Sequence, residues 1–151
     1  MSFIVGIDGP AGTGKGTITN LVAKDLKLNQ IDTGAMYRAF TLYMLDNKVE
    51  LDEIEKIKEL LEKVKIDLIQ EDDKETVFLN GKDVTKEIRS KSVTNFVSPV
   101  SSIIEVRIKM VELQRKMAEG KNVIMEGRDI TTYVFPNANV KIYLDANVEE
   151  R

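Results

Sequence analysis

The chain has no cysteine and no histidine among its 151 residues. Without cysteine, neither disulfides nor thiolate metal sites are available. Without histidine, the commonest general base and the commonest transition-metal ligand are both missing. Positive charge is not in excess: 22 Lys and Arg stand against 25 Asp and Glu, a formal net charge of −3. That balance argues against broad nucleic-acid affinity, which rests on neutralising phosphates, and favours a small-molecule partner. No apolar run approaches the length of a membrane span, and the first ten residues, M-S-F-I-V-G-I-D-G-P, carry no basic segment leading into a signal-like stretch. The expected location is the cytoplasm, with neither nucleic acid nor membrane as partner. The 42% hydrophobic and 31% charged fractions describe an ordinary globular chain, about one domain long.

What is present begins at the apolar run Phe3-Ile4-Val5-Gly6-Ile7, which reads as a buried strand. Directly after it come Gly9, Pro10, Ala11, Gly12, Thr13, Gly14, Lys15, Gly16 and Thr17. This is the pattern of a phosphate-binding loop: glycines let successive N–H groups turn toward a polyphosphate, Lys15 adds a point charge, and the following helix offers its positive end. The general pattern places a hydroxyl immediately after the lysine to hold Mg²⁺, whereas here Gly16 takes that place and Thr17 follows. A loop ending G-K-G-T resembles those of the nucleoside monophosphate kinases, in which the metal is held largely through water and substrate phosphates.

Ile18, Leu21, Val22 and Leu26 fall at helical spacing and predict the apolar face of a helix after the loop. A strand–loop–helix start implies a parallel α/β core. Gln30-Ile31-Asp32 reads as a short second strand or merely the end of one, before a helix carrying Met36, Phe40, Tyr43 and Met44 on one side. Asp52 and Glu55 predict a capping box at the start of a third helix, with a seam of Ile54, Ile57, Leu61 and Val64. The period then becomes two. Ile66 and Leu68 alternate with polar neighbours, Thr76 to Leu79 do the same, and Asn80-Gly81 supplies a tight hairpin turn. A small antiparallel sheet set into the core follows, within an inserted region of about residues 63–100, a natural place to hold a second substrate.

From about Ile88 a helical stretch meets Pro99, then a second start signal, Ser102-Ile103-Ile104-Glu105, which predicts two helices rather than one. An unbroken helix would set Ser98 and Arg107 on opposite faces, since each residue turns it by about 100°. Asn122 to Met125 and Val140 to Leu144 read as further apolar strands, ending in Glu126 and Asp145. Asn147-Val148-Glu149-Glu150 announces a helix with one turn left to run before Arg151, so the sequence reads as stopping short of a complete fold.

Taken in order, several segments resemble the bacterial cytidylate kinase family, the CMP and dCMP kinases of the nucleoside monophosphate kinase superfamily. They are D-G-P-A-G-T-G-K-G-T (8–17), D-T-G-A-M-Y-R (32–38), L-N-G-K-D-V-T-K-E-I-R (79–89), S-P-V-S-S-I-I-E-V-R (98–107), E-G-R-D-I-T-T-Y-V-F-P (126–136) and K-I-Y-L-D-A-N-V-E-E-R (141–151). The resemblance implies one three-layer α/β P-loop kinase domain over residues 1–151, with a parallel sheet and an inserted, small antiparallel β plus helical region for the monophosphate. It implies phosphoryl transfer from ATP to CMP or dCMP, with Mg²⁺ bound through water and phosphates and no direct protein ligand, by a chain expected to be a monomer.

On matching residues, the resemblance places Lys15, Arg38 and Arg128 in catalysis and the 9–17 loop on ATP. It places Thr33, Arg38 and Arg128 on the acceptor phosphate, and Ser98, Arg107 and Asp129 on the cytosine. Cytosine's acceptor oxygen and ring nitrogen beside an amino donor suit that set. Apart from the motif, Arg107 and Ser98 would read as solvated surface, and Asp32 reads equally as helix cap or site. Catalysis would need no general base, because the attacking oxygen of a monophosphate is already anionic. The family continues with an arginine-bearing lid, a strand and a helix that these residues do not include, so the chain as given is expected to bind nucleotide and to transfer phosphate slowly.

Other readings stay open at this level: a kinase for another nucleotide or small acceptor, a non-catalytic nucleotide-binding fragment, or a GTP-binding switch. The last draws on Asn47-Lys48-Val49-Glu50, close to a guanine-reading N-K-x-D but with Glu in place of Asp, and it is read instead as a helix end.

Overall fold

The computed structural model describes residues 3–9, 15–71, 74–127 and 129–144, and at Lys15 the backbone only. The chain divides into two compact units, Met1–Thr33 with Leu113–Arg151, and Gly34–Glu112.

The first unit is built on four parallel strands in the order β2-β6-β1-β7. They are β1 (Ile4–Asp8), β2 (Asn29–Asp32), β6 (Val123–Gly127) and β7 (Val140–Tyr143). Strand β1 is hydrogen-bonded on both edges, with Val5 opposite Ile124 on one side and Val140 on the other. A strand enclosed in this way favours a continuous apolar run over an alternating one, and Val5 and Ile7 are buried with Ile124 and Ala23 in one cluster.

Helix α1 (Lys15–Leu26) returns the chain along the sheet, but its buried face differs from the expected one. Leu21 and Leu26 are both 59% exposed, while Thr19 and Ala23 are buried and Ile18 and Val22 pack on the core. The stripe is centred on small side chains one turn apart, and Leu21 falls well outside it at about 100° per residue. Leu26 has the right angle but ends the helix. The backbone then turns at Lys27 (φ 54°) and Leu28 packs against the cluster.

The second unit holds nearly all of helix α2 (Thr33–Asp46), then α3 (Ile54–Lys63), a three-stranded antiparallel sheet, α4 (Lys91–Ser101) and the start of α5 (Ile104–Ala118). It takes in the whole 63–100 region that the sequence sets apart. Met36, Phe40 and Met44 are buried on α2, with Tyr43 edge-on to Phe40 at a centroid distance of 6.3 Å. Asn47 and Lys48 do end this helix: the Asn47 side chain donates to the Tyr43 carbonyl at 2.8 Å.

Two expected caps are not made. Helix α3 starts at Ile54 behind Glu53, whose carboxylate accepts from the Glu50 N–H at 3.0 Å and meets Lys56 Nζ at 2.6 Å. Asp52 is therefore in the preceding turn, and its pairing with Glu55 gives way to a local loop closed by Glu53. The second start signal fails for a similar reason. Helix α4 runs through Pro99, and Ser102 lies at its C-terminal end, where the hydroxyl donates to the Ser98 carbonyl at 3.2 Å. The break itself is present, so Ser98 and Arg107 lie on different helices.

The hairpin joins β3 (Ile66–Glu71), β4 (Lys74–Leu79) and β5 (Lys82–Asp83). Asn80 and Gly81 both have positive φ, 50° and 86°, as a turn matched to the twist of its strands requires. Asn80 also exchanges two bonds with Lys65, each 2.7 Å, one through its backbone N–H and one through its side-chain oxygen. A Cβ at Gly81 would meet nothing within 4 Å, so a side chain there pays only for the left-handed backbone. Gly81→Val should lower stability by about 1–2 kcal/mol, read as a lower urea midpoint with an unchanged m value.

Candidate functional site

The C-terminal ends of β1, β2 and β6 lie side by side, with Asp8 paired to Gly127 and Asp32 to Glu126. In open parallel sheets ligands bind beyond these ends. Of the phosphate-loop residues, Gly9 is buried and its N–H donates to the Gly127 carbonyl at 3.2 Å. Pro10, Ala11, Gly12, Thr13 and Gly14 lie outside the described residues, as does the Lys15 side chain. Lys15 opens α1, and Gly16 and Thr17 are exposed in its first turn.

Thr33 begins α2 and is buried, donating its hydroxyl to the Glu126 carbonyl at 2.9 Å. Asp32 occupies the position just before that helix. Arg128 lies outside the described residues. Asp129 is half-buried with φ −136° and ψ 23°, and its carbonyl accepts from the Tyr133 and Val134 N–H groups at 2.8 and 3.2 Å. It thereby opens a π-helical turn over Ile130–Val134.

In the second unit the Arg38 guanidinium donates through Nη1 to the Ile88 carbonyl and to Thr94 Oγ1, both at 3.0 Å. Thr94 and Ser98 are one turn apart on α4 and so share a face. Ser98 is exposed and its carbonyl takes the hydroxyls of Ser101 and Ser102, while Arg107 is half-buried on α5. A cavity of about 520 Å³ in this unit is lined by residues such as Met44, Leu45, Phe96 and Val100 and by none of the nucleotide-site residues expected from the sequence.

Three further polar groups in the first unit went unassigned in the sequence. Asp8 is 2% exposed and accepts from the Ile130 and Thr131 N–H groups, each at 2.8 Å, and from Thr131 Oγ1 at 2.6 Å. Arg115 holds the other end of the same turn, donating to the Val134 and Tyr133 carbonyls at 3.0 Å each. Glu126 faces the start of α1: a Cβ placed on Gly16 would lie 3.8 Å from its Oε2. That oxygen is buried and has no hydrogen-bond partner among the described residues. The available signal was an acidic residue closing an otherwise apolar strand, as in I-V-G-I-D and V-I-M-E.

A parallel α/β core with a helix rising from the loop after its central strand, and a small antiparallel sheet inserted between strands, is the architecture of the P-loop nucleoside monophosphate kinases. The cytidylate kinase family model matches residues 5–151, and the chain belongs to that family. A cytidylate kinase of Caldicellulosiruptor saccharolyticus is 50% identical over 147 residues, covering 97% of this chain and 65% of that protein. One from a Geobacillus species is also 50% identical over 147 residues, covering 97% of this chain and 66% of its own length. A third, from Fusobacterium nucleatum, is 50% identical over 150 residues, 99% of this chain and 67% of the relative. The chain thus spans about two thirds of the length of the curated relatives it matches.

A buried carboxylate oxygen without a partner is a cost to the ligand-free fold, about 1–3 kcal/mol for an unsatisfied group. Glu126→Met keeps the length and removes the charge. Thermal denaturation of the ligand-free chain should show a midpoint equal to or above the parent's, and a clear drop would make Glu126 a structural support.

Proposed function

We propose that this chain carries the phosphoryl-transfer core of a cytidylate kinase, passing the γ-phosphoryl group of ATP to CMP or dCMP to give CDP or dCDP in pyrimidine nucleotide metabolism. What carries the reading is the match to the cytidylate kinase family from residue 5 to residue 151, with the acceptor motifs in place along it. In this reading the 9–17 loop and the N-terminus of α1 hold the ATP phosphates, and Lys15 offsets charge on the group in transfer.

Arg38 and Arg128 hold the acceptor phosphate. Nη1 of Arg38 is engaged with Ile88 and Thr94, so the guanidinium plane is already oriented, and Nε and Nη2 form the fork for a phosphate edge. Thr33 would reach the phosphate by rotating its hydroxyl away from the Glu126 carbonyl. Ser98 and Arg107 donate to the cytosine acceptors, and Asp129 accepts from its amino group. The transferred group needs positioning and charge neutralisation, and the anionic acceptor oxygen needs no base.

The buried Oε2 of Glu126, beside the first turn of α1, fits a site for Mg²⁺ bound through water. When bound there with ATP, the ion supplies charge neutralisation at the phosphates. Among the described residues no helix is long and apolar enough to cross a membrane; a monomer acting in the cytoplasm completes the proposal.

Lys15→Ala should lower the rate of ATP-dependent CMP phosphorylation by roughly two to three orders of magnitude, the usual cost of one lost transition-state donor. A rate within threefold of the parent removes Lys15 from the mechanism.

Acceptor choice gives the test of substrate class. CMP, UMP and AMP are compared as acceptors, and a preference for UMP or AMP sinks the cytosine reading. Arg107→Met should weaken CMP and narrow its advantage over UMP by about 1–3 kcal/mol, with ATP binding unchanged. Unaltered CMP/UMP selectivity would exclude this residue from base recognition.

A further inference from the structure

The three bonds to Asp8 all come from one place. Its Oδ1 accepts from the Ile130 N–H, and its Oδ2 from the N–H and Oγ1 of Thr131. Ile130 and Thr131 are the first two residues of the π-helical turn, and the leading N–H groups of a helical turn have no partner within it. A side chain on the next strand therefore caps this turn, in place of the usual one from its own N-cap residue. Asp129 occupies that N-cap position and makes no side-chain cap bond.

The consequence falls on Asp129. Its carbonyl is fixed by Tyr133 and Val134, and the two amides that follow it are fixed by Asp8. The turn is pressed onto β1 as well: a Cβ at Gly6 would lie 3.0 Å from both Ile130 Cγ2 and Thr131 Cγ2. Arg115 holds the far end of the turn. With both ends tied, the backbone that carries the Asp129 carboxylate is held in place.

We propose that Asp8 is a positioning residue for acceptor recognition: through its bonds to Ile130 and Thr131 it sets Asp129 for the nucleoside monophosphate. The proposal rests on the cytidylate kinase reading above. A carboxylate is required because both oxygens must accept. In Asp8→Asn one oxygen becomes an NH₂, which then faces an N–H donor, and one end of the turn is released.

Calorimetry of CMP and of ATP, each binding separately to the 151-residue chain, with amide hydrogen exchange at Ile130 and Thr131, tests this in three variants. Asp8→Asn should weaken CMP about tenfold or more, the value of one lost charge-assisted bond, with ATP within about threefold of the parent. Exchange at Ile130 or Thr131 should accelerate. Thr131→Val removes only the hydroxyl bond and should weaken CMP about threefold, while Thr131→Ser, which keeps it, should bind like the parent. If Asp8→Asn does not fold, the Thr131 pair decides the matter: equal CMP affinity in Val and Ser variants overturns the proposal. Equal weakening of CMP and ATP in a folded Asp8→Asn, or unaltered exchange at both amides, overturns it too, and leaves Asp8 a general support. If the parent chain itself binds no CMP, the functional reading fails and the proposal falls with it. That result is distinct from a parent that binds CMP and variants that match it.

Discussion

Strand β1 is bonded along both edges, and the chemistry of the first unit is arranged around its C-terminal end. A strand in that position cannot shift its register without breaking two ladders at once, so Asp8 and Gly9 are fixed points. From them the constraint passes outward. The Gly9 N–H meets the Gly127 carbonyl, the Asp8 carboxylate meets Ile130 and Thr131, and the Asp8 carbonyl accepts from Leu144 at 2.8 Å. Three points between residues 127 and 144 are thus registered against two adjacent residues more than a hundred positions away. Phosphoryl transfer consists mostly of positioning and charge, and a rigid strand end is a suitable base for both.

The residues available to this chain fit that kind of chemistry better than most others. Without histidine or cysteine there is no side chain with an ordinary pKa near neutrality to act as a proton shuttle. What remains at the strand ends is a set of donors and carboxylates, and around Arg38 a guanidinium already oriented by two bonds. Such groups recognise phosphate by geometry. An acceptor that arrives ionised asks no proton transfer of them.

Long-range features were legible where the pattern was long and its cause purely apolar. The α2 stripe of Met36, Phe40 and Met44 and the alternation leading to Asn80-Gly81 depend on burial and backbone handedness, which sequence spacing records directly. Caps were not legible. Asp52 and Ser102 each have the right residue type at the right spacing, yet Glu53 closes the first loop by itself and Ser102 bonds backward to Ser98. In both cases a competing local hydrogen bond, spanning three residues in one and four in the other, decided the helix start. Leu21 misled for a different reason: α1 meets the sheet through Thr19 and Ala23, and close approach of a helix rewards small side chains over large ones. At the site, the motif named the residues proposed to face a ligand, while Asp8 and Arg115, which hold the turn over 130–134, could be found only from contacts between segments more than a hundred or nearly twenty residues apart.

Asp8 and Glu126 make the division of labour physical. Both are acidic, both close a buried parallel strand, and the strands are neighbours in the sheet. Yet Asp8 has three donors on its two oxygens, whereas Glu126 has a buried oxygen with no partner among the described residues. A satisfied buried carboxylate lowers the energy of the fold and holds what it binds; an unsatisfied one raises it and stays available to a cation or a donor brought by a ligand. The same residue type in nearly the same place therefore serves opposite ends, and what separates them is the partner supplied from across the sheet. The turn over 130–134 supplies it to Asp8. At Glu126 the side facing α1 is Gly16, which contributes no side chain, so the glycine that displaces the usual hydroxyl of the loop also leaves room for whatever completes the carboxylate's bonding.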